Sequence, residues 1–304
     1  MMKINEMFNI KYPVFQGGMA NIATGEFAAT VSEAGAMGII GAGGMNAETL
    51  REEIHKAKEK TDKPFGVNIM LMNPDADRMA EVVAEEKVAL VTTGAGNPGK
   101  YMAMWKEAGI KVFPVVSSVA LAKRLEGLGA DGLIAEGSES GGHIGELSTM
   151  VIVPLVAEAV NIPVIAAGGI GSGKQMKAAF VLGASGVQIG TVLLASTECP
   201  IHENYKAAVV KAKDSSTVVT GRIGGTPVRI LKNPMSREYI KKEKEGATLE
   251  ELEVYTLGAL RKAVKEGDVK NGSLMAGQVS AMVKEVRPVK DIIESMVNEY
   301  ENIR

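Results

Sequence analysis

Short apolar, β-branched runs recur along the chain at a nearly even spacing. They are Tyr12-Pro13-Val14-Phe15, Gly38-Ile39-Ile40, Phe65-Gly66-Val67-Asn68-Ile69-Met70 and Val88-Ala89-Leu90-Val91-Thr92-Thr93. Next come Lys111-Val112-Phe113-Pro114-Val115-Val116, Gly132-Leu133-Ile134-Ala135, Pro163-Val164-Ile165-Ala166-Ala167 and Gly186-Val187-Gln188-Ile189. Successive starts lie 21 to 31 residues apart, room for one strand, one helix and two short loops. The runs are apolar throughout rather than alternating, which marks strands covered on both faces. Between them, Ala47 to Lys60 is rich in Glu, Lys and Ala, and Val119 to Leu128 sets Leu121, Leu125 and Leu128 on one helical face. Eight strand–helix units predict a closed α/β structure, the (β/α)8 TIM barrel. A doubly wound open sheet needs a reversal of strand order for which the sequence gives no sign.

The pattern changes near residue 200. Ser236 to Leu260 is charged and helical in character, and Asn271 to Val283 holds the small-residue run Gly272-Ser273-Leu274-Met275-Ala276-Gly277-Gln278. We expect residues 1–200 to form the barrel. Residues 201–304 are expected to form a C-terminal helical subdomain or lid, integral to the same domain and returning over the barrel mouth. Plain buttressing of the barrel wall is the alternative for this tail.

Composition narrows the function classes. A chain of 304 residues, 46% hydrophobic, can fill a large core. Its 34 basic and 36 acidic residues leave a net charge of −2, so nothing points to nucleic acid or an anionic membrane. No long apolar window predicts a membrane span, and Met1 to Met7 lacks a signal-peptide run. The single cysteine, Cys199, excludes an internal disulfide and suits a reducing, cytoplasmic setting. It reads as a buried thiol rather than a nucleophile. The three histidines, His55, His143 and His202, form no H-x-x-x-H pair, so no zinc site is expected.

In a barrel of this kind the loops after the strands form the active face. Polar and glycine-rich residues cluster there: Gln16-Gly17-Gly18-Met19 after the first strand, Gly41-Ala42-Gly43-Gly44 after the second, and Thr92 to Asn97 after the fourth. Glu136-Gly137 follows the sixth, Gly168-Gly169 the seventh and Gly190-Thr191 the eighth, while Asn68 lies in the third. Gly168 to Gln175 nearly spells a phosphate-binding P-loop, but Gln175 stands where Ser or Thr would hold magnesium. The barrel accounts for these residues better, because its seventh and eighth loops form a phosphate cradle. Backbone amides of Gly168, Gly169, Gly190 and Thr191 are expected to grip the phosphate of a flavin mononucleotide. Asn68, Gln16, Gln188 and Gln278 are expected to meet the ring edges or ribityl chain, and Met19 and Met275 the ring faces. Core filling is the plainer reading of any single Met among 17. His143 stands among four glycines in Gly137-Ser138-Glu139-Ser140-Gly141-Gly142-His143-Ile144-Gly145, after the sixth strand. There an imidazole can deliver or remove a proton beside a flavin, with Glu136 orienting cofactor or loop. His55 and His202 read as structural.

As an ordered set, several segments carry a resemblance. They are Y-P-V-F-Q-G-G-M-A at 12–20, D-K-P-F-G-V-N-I-M-L at 62–71, T-T-G-A-G-N-P at 92–98 and I-A-E-G-S-E-S-G-G-H-I-G at 134–145. I-P-V-I-A-A-G-G-I at 162–170, V-Q-I-G-T at 187–191 and G-S-L-M-A-G-Q at 272–278 complete it. The chain resembles the flavin-dependent enoyl-acyl-carrier-protein reductase II family and, more distantly, bacterial nitronate monooxygenases. The resemblance implies an FMN-bearing barrel, NADH or NADPH as reductant, and a trans-2-enoyl thioester on acyl carrier protein as substrate. It places His143 at the substrate as proton donor or carbonyl-polarising group, and Glu136, Asn68 and Gly277 near the cofactor. It also implies a homodimer and activation by a monovalent cation. Asn21, Val192 and Thr226 depart from the family pattern, where an aromatic residue, G-T-R-F and a histidine before P-V-R are expected. These leave substrate choice open between enoyl thioester and alkyl nitronate, with a flavin-binding sensor or inactive scaffold as a non-enzymatic reading.

Overall fold

The computed structural model describes residues 3–223 and 225–303. Eight parallel strands form one sheet: β1 (Val14–Gln16), β2 (Gly38–Gly41), β3 (Phe65–Met70), β4 (Leu90–Gly94), β5 (Lys111–Val116), β6 (Leu133–Glu136), β7 (Val164–Ala167) and β8 (Gly186–Ile189). Neighbours run β1-β8-β7-β6-β5-β4-β3-β2. The circle closes through a parallel bridge between Phe15 and Met37, where Met37 N–H donates to Val14 O at 2.8 Å and Gln16 N–H to Met37 O at 2.9 Å. This is a (β/α)8 barrel, as the spacing predicts.

Two packed layers explain why it closes. Inside, Phe15, Met37, Ile39, Leu90, Phe113, Ile134 and Ile165 fill the lumen with Ile4 and Phe8. The last two come from the short helix Ile4–Phe8 ahead of β1. Phe8, Phe15 and Phe113 form a ring triangle with centroids 5.6 to 5.9 Å apart. Room for Phe113 depends on Gly132, where a Cβ would stand 2.2 Å from the ring. Outside, helices cover the other strand face, giving strands buried on both sides. The helix Ala47–Lys60 starts on an Asn46 cap and buries Leu50, Ile54 and Ala57. The helix Val119–Gly127 turns Ala122 and Leu125 inward. Leu128, expected on that face, is 40% exposed instead, because the helix stops one residue before it.

The tail does two things. The helix Val289–Asn302 packs on Gly173–Val181 of the barrel wall, with Gly173 N–H donating to Glu299 Oε2 at 2.7 Å. Residues 275–278 meanwhile cross the barrel rim. A small antiparallel sheet joins Thr217–Thr220, Val228–Leu231 and the two-residue strand Gly142–His143. The charged stretch 236–260 splits into the helices Pro234–Lys244 and Leu249–Thr256, parted at Gly246, whose φ is +85°.

Candidate active site

The site grows from the C-terminal ends of the strands. Gln16, last in β1, is buried. Its Oε1 accepts from Ile39 N–H at 3.4 Å, so the side chain continues the β1–β2 ladder where the backbones part. Its Nε2 has no partner among the described residues. Gln188 on β8 is also buried, and its Oε1 is likewise unpartnered. The two strands are hydrogen-bonded neighbours, with Phe15 opposite Gln188. A buried donor and a buried acceptor without protein partners are costly, and a ligand with complementary edge groups removes that cost.

The same corner is lined by bare backbone. The nearest atoms to a Cβ on Gly17 would be Gly190 Cα, Ile189 O and Gln188 Nε2 at 3.7 to 3.9 Å, and one on Gly190 would stand 3.6 Å from the Met19 sulfur. Gly18 is different: a Cβ there would lie 2.2 Å from Asn68 Cβ. Asn68 itself donates from Nδ2 to Thr92 Oγ1 at 2.8 Å. At the end of β7, Gly168 and Gly169 have φ of +86° and +69°, a left-handed pair suited to glycine.

The loop between β6 and His143 is held from three sides. Glu139 accepts from Thr149 N–H at 2.9 Å and from its hydroxyl at 3.0 Å, capping the helix Thr149–Ala159 in place of the Ser148 side chain. Glu139 O accepts from Gln278 N–H at 2.9 Å, and Gly277 N–H donates to Thr191 Oγ1 at 2.8 Å. Buried Arg229 donates from Nε and Nη2 to Ser138 O at 3.1 and 2.9 Å, and from Nη1 to Thr217 Oγ1 at 3.2 Å. Thus tail, eighth loop and sixth loop lock together. Met275 belongs to this lock, with its sulfur 3.5 Å from where a Cβ on Gly142 would be.

His143 pairs with Val228 in the small sheet, and its imidazole has no hydrogen-bond partner among the described residues. The residue is exposed at the mouth, yet surrounding protein desolvates the charged ring and lowers its pKa. It is a neutral imidazole at pH 7, able both to donate and to accept. Glu136, at the end of β6, is the opposite case. Burial pushes its carboxyl up to about 7, with Ser140 pulling the other way. Ser140 Oγ makes no hydrogen bond of ordinary geometry, so that pull is weak. An acid poised near neutrality can store or pass one proton.

The structure therefore brings Gln16, Gly17, Gly18, Met19, Asn68, Glu136, Gly168, Gly169, Gln188, Gly190, Thr191, Met275 and Gly277 to one rim with His143. Gln278 joins through its backbone amide, while its side chain is exposed. The expected flavin fits on three counts: an orphaned donor, an orphaned acceptor, and a glycine-lined corner. Sequence reasoning missed Arg229, Glu139 and Ser140. Arg229 lay in plain view in P-V-R, but its partner is 91 residues away. Of the departures, Val192 is buried core and packs on Gly171. Asn21 adopts φ +60° and leans on Gly44. Thr226 is exposed beside the His143 strand.

Other candidates take structural roles. Gln175 Oε1 accepts from Gly171 N–H at 2.9 Å, folding the P-loop lookalike back on itself. His55 pairs with Glu86 at 3.0 Å, and His202 Nδ1 caps the helix Glu203–Val210. Burial pushes the Cys199 thiol up to about 12, so it holds no thiolate at neutral pH. No group of three or more metal-ligating side chains occurs among the described residues, and no described helix is long and apolar enough to cross a membrane.

Comparison with known proteins follows the same lines. FabK from Thermotoga maritima superposes with a TM-score of 0.96 at 49% identity, covering 99% of this chain and 96% of that one. Nitroalkane oxidase from Streptomyces ansochromogenes gives a TM-score of 0.85 at 27% identity, over 96% of each chain. A probable nitronate monooxygenase of Staphylococcus saprophyticus is 33% identical over 99% of this chain and 98% of its own length. The nitronate monooxygenase profile matches residues 2–81 and 75–299. With the barrel, the rim and all but the last few residues of the tail inside that match, the chain belongs to the nitronate monooxygenase family.

Proposed function

We propose that the protein is an FMN-dependent enoyl-acyl-carrier-protein reductase, drawing on NADH (or NADPH) to reduce a trans-2-enoyl thioester. The supporting observation is the rim: unpartnered Gln16 Nε2 and Gln188 Oε1 beside a glycine-lined corner, with an unpartnered His143 on the loop after β6. The 49% identity to FabK, an enoyl-acyl-carrier-protein reductase II, supports the same reading. Bound FMN supplies the two-electron relay between nicotinamide and thioester. Gln16 Nε2 and Gln188 Oε1 would hold it by hydrogen bonds, Asn68 would orient it, Gly168, Gly169, Gly190 and Thr191 would receive its phosphate, and Met19 and Met275 would pack against it. Neutral His143 donates its N–H to the thioester carbonyl, and Glu136 holds the proton reserve. Residues 201–304 act as a lid integral with the barrel 1–200, supported by the Thr191–Gly277 and Glu139–Gln278 bonds. With this reading go a cytoplasmic location, an acyl carrier protein as partner, a homodimer and a monovalent-cation activator.

The family match and the S. saprophyticus relative support a second reading, nitronate monooxygenase. There neutral His143 serves as the base that takes a proton from the carbon of a nitroalkane to give the nitronate, and oxygen is the oxidant in place of nicotinamide and thioester. Visible flavin absorbance of purified protein tests the shared cofactor. Enoyl-thioester-dependent NADH oxidation then supports the first reading, and NADH-independent oxygen uptake with an alkyl nitronate the second. His143→Ala is expected to abolish enoyl reduction and retain the flavin. Unchanged turnover removes His143 from its role.

A further inference from the structure

A second hollow lies apart from the barrel mouth, against the tail. Its volume is about 660 Å³, within the usual span for small-molecule sites of roughly 300–1,000 Å³. Its floor is apolar and buried: Ala212, Leu231 and Leu274. Its walls carry four cations, Lys211, Lys232, Arg237 and Lys270, and no carboxylate. All four are exposed. None has an ion pair or side-chain hydrogen bond among the described residues. Elsewhere on the surface, cations such as Arg51, Lys58, Arg78 and Lys100 each reach a carboxylate.

Of the acids next to the hollow in sequence, Asp214, Glu238 and Asp268, none lines it. Asp214 accepts from Ser215 N–H, and Asp268 from the amides of Lys270 and Asn271. The helix Pro234–Lys244 begins at the edge, but its first amides are used: Met235 N–H donates to Lys270 O and Ser236 N–H to Asn233 Oδ1. The positive potential therefore comes from side chains. Four like charges around one concavity repel one another and are relieved by an anion between them.

We propose that this hollow binds a phosphorylated small molecule of nucleotide size. Its phosphates sit among Lys211, Lys232, Arg237 and Lys270, and its uncharged body lies over Leu231 and Leu274. The guanidinium of Arg237 offers two parallel donors to one phosphate. A concave apolar floor suits a small molecule better than the convex face of an acidic protein. The site is connected to the rim through the backbone without being part of it. Leu231 N–H donates to Leu274 O at 2.9 Å, and Leu274 precedes Met275, whose carbonyl accepts from Tyr205 Oη at 2.8 Å. This inference stands independently of the reductase reading.

Isothermal titration of the purified protein with pyrophosphate, ADP and adenosine tests it. Wild type is compared with Lys232→Glu/Lys270→Glu and with Lys63→Glu/Lys123→Glu, which makes the same charge change on other elements. Pyrophosphate and ADP are expected to bind, with adenosine at least about tenfold weaker. The Lys232/Lys270 pair is expected to weaken both anions by about tenfold or more, and the control pair by less than about twofold. If the first pair fails to fold, Lys211→Gln/Arg237→Gln takes its place with the same expectation. The proposal is overturned if neither anion binds, if both variant pairs lose affinity equally, or if adenosine binds as well as ADP. Binding of only an acidic carrier protein overturns it too.

Discussion

Glu136→Gln isolates the energetics of the poised carboxyl. The side chain closes β6, paired with Ala167 of β7, and burial lifts its pKa from the ordinary 4.5 to about 7. One pK unit is worth about 1.4 kcal/mol, so ionising the carboxyl in the folded protein costs about 3 kcal/mol. That figure is a ceiling, because Glu136 keeps some surface at the mouth. A raised folded-state pKa means that the contribution of this group is full below the unfolded value of 4.5 and is lost as pH rises through about 7. Glutamine has the same shape and does not titrate. Urea denaturation of cofactor-free wild type and variant, at steps from about pH 5 to about pH 8, reads the difference. The variant should gain up to about 3 kcal/mol on wild type across that interval, and the gap should level off above it. If the two proteins follow parallel stability curves over the whole interval, the buried, elevated carboxyl is refuted.

Arg229→Ala removes three donors and leaves Ser138 O without its guanidinium. It is expected to cost about 3 kcal/mol in denaturation and most of the turnover, with Arg229→Lys recovering part of both. Gly18→Ala puts a methyl 2.2 Å from Asn68 Cβ, so Asn68 must leave Thr92; flavin affinity measured by fluorescence titration is expected to fall about tenfold. Phe113→Ala removes one corner of the ring triangle and is expected to cost about 3–5 kcal/mol by the same denaturation assay.

The barrel was legible because its signal is local. The expected strand starts at 38, 65, 111 and 186 coincide with Gly38, Phe65, Lys111 and Gly186, and the other four fall within two residues. Strands buried on both faces must be apolar at every position, and such runs stand out against amphipathic helices. The small sheet was not legible. Its three strands hold two to four residues each, and the pairing of Gly142 with Arg229 joins chain on either side of β7 and β8, so no periodicity announces it. For the candidate site, the sequence offers loop glycines and polar strand ends, and the structure sets them at the C-terminal ends of the strands. What joins the rim did not show. Glu139 looked like an ordinary loop acid until Thr149 folded against it, and Ser140 carries no mark in sequence of being sealed beside Glu136. Leu128 shows the converse limit: helical periodicity places a leucine inward only while the helix lasts.

The two bonds from residues 277 and 278 to Thr191 and Glu139 also bear on synthesis at the ribosome. All eight strands have left the exit before the segment that roofs them is made, and the brace Val289–Asn302 comes later still. Chains fold as they emerge, N-terminal parts first, so a nascent barrel with an open top precedes the finished molecule. The bonds from Gly277 to Thr191 and from Gln278 to Glu139 form after that stage, and the last helix docks on Gly173–Val181 later still.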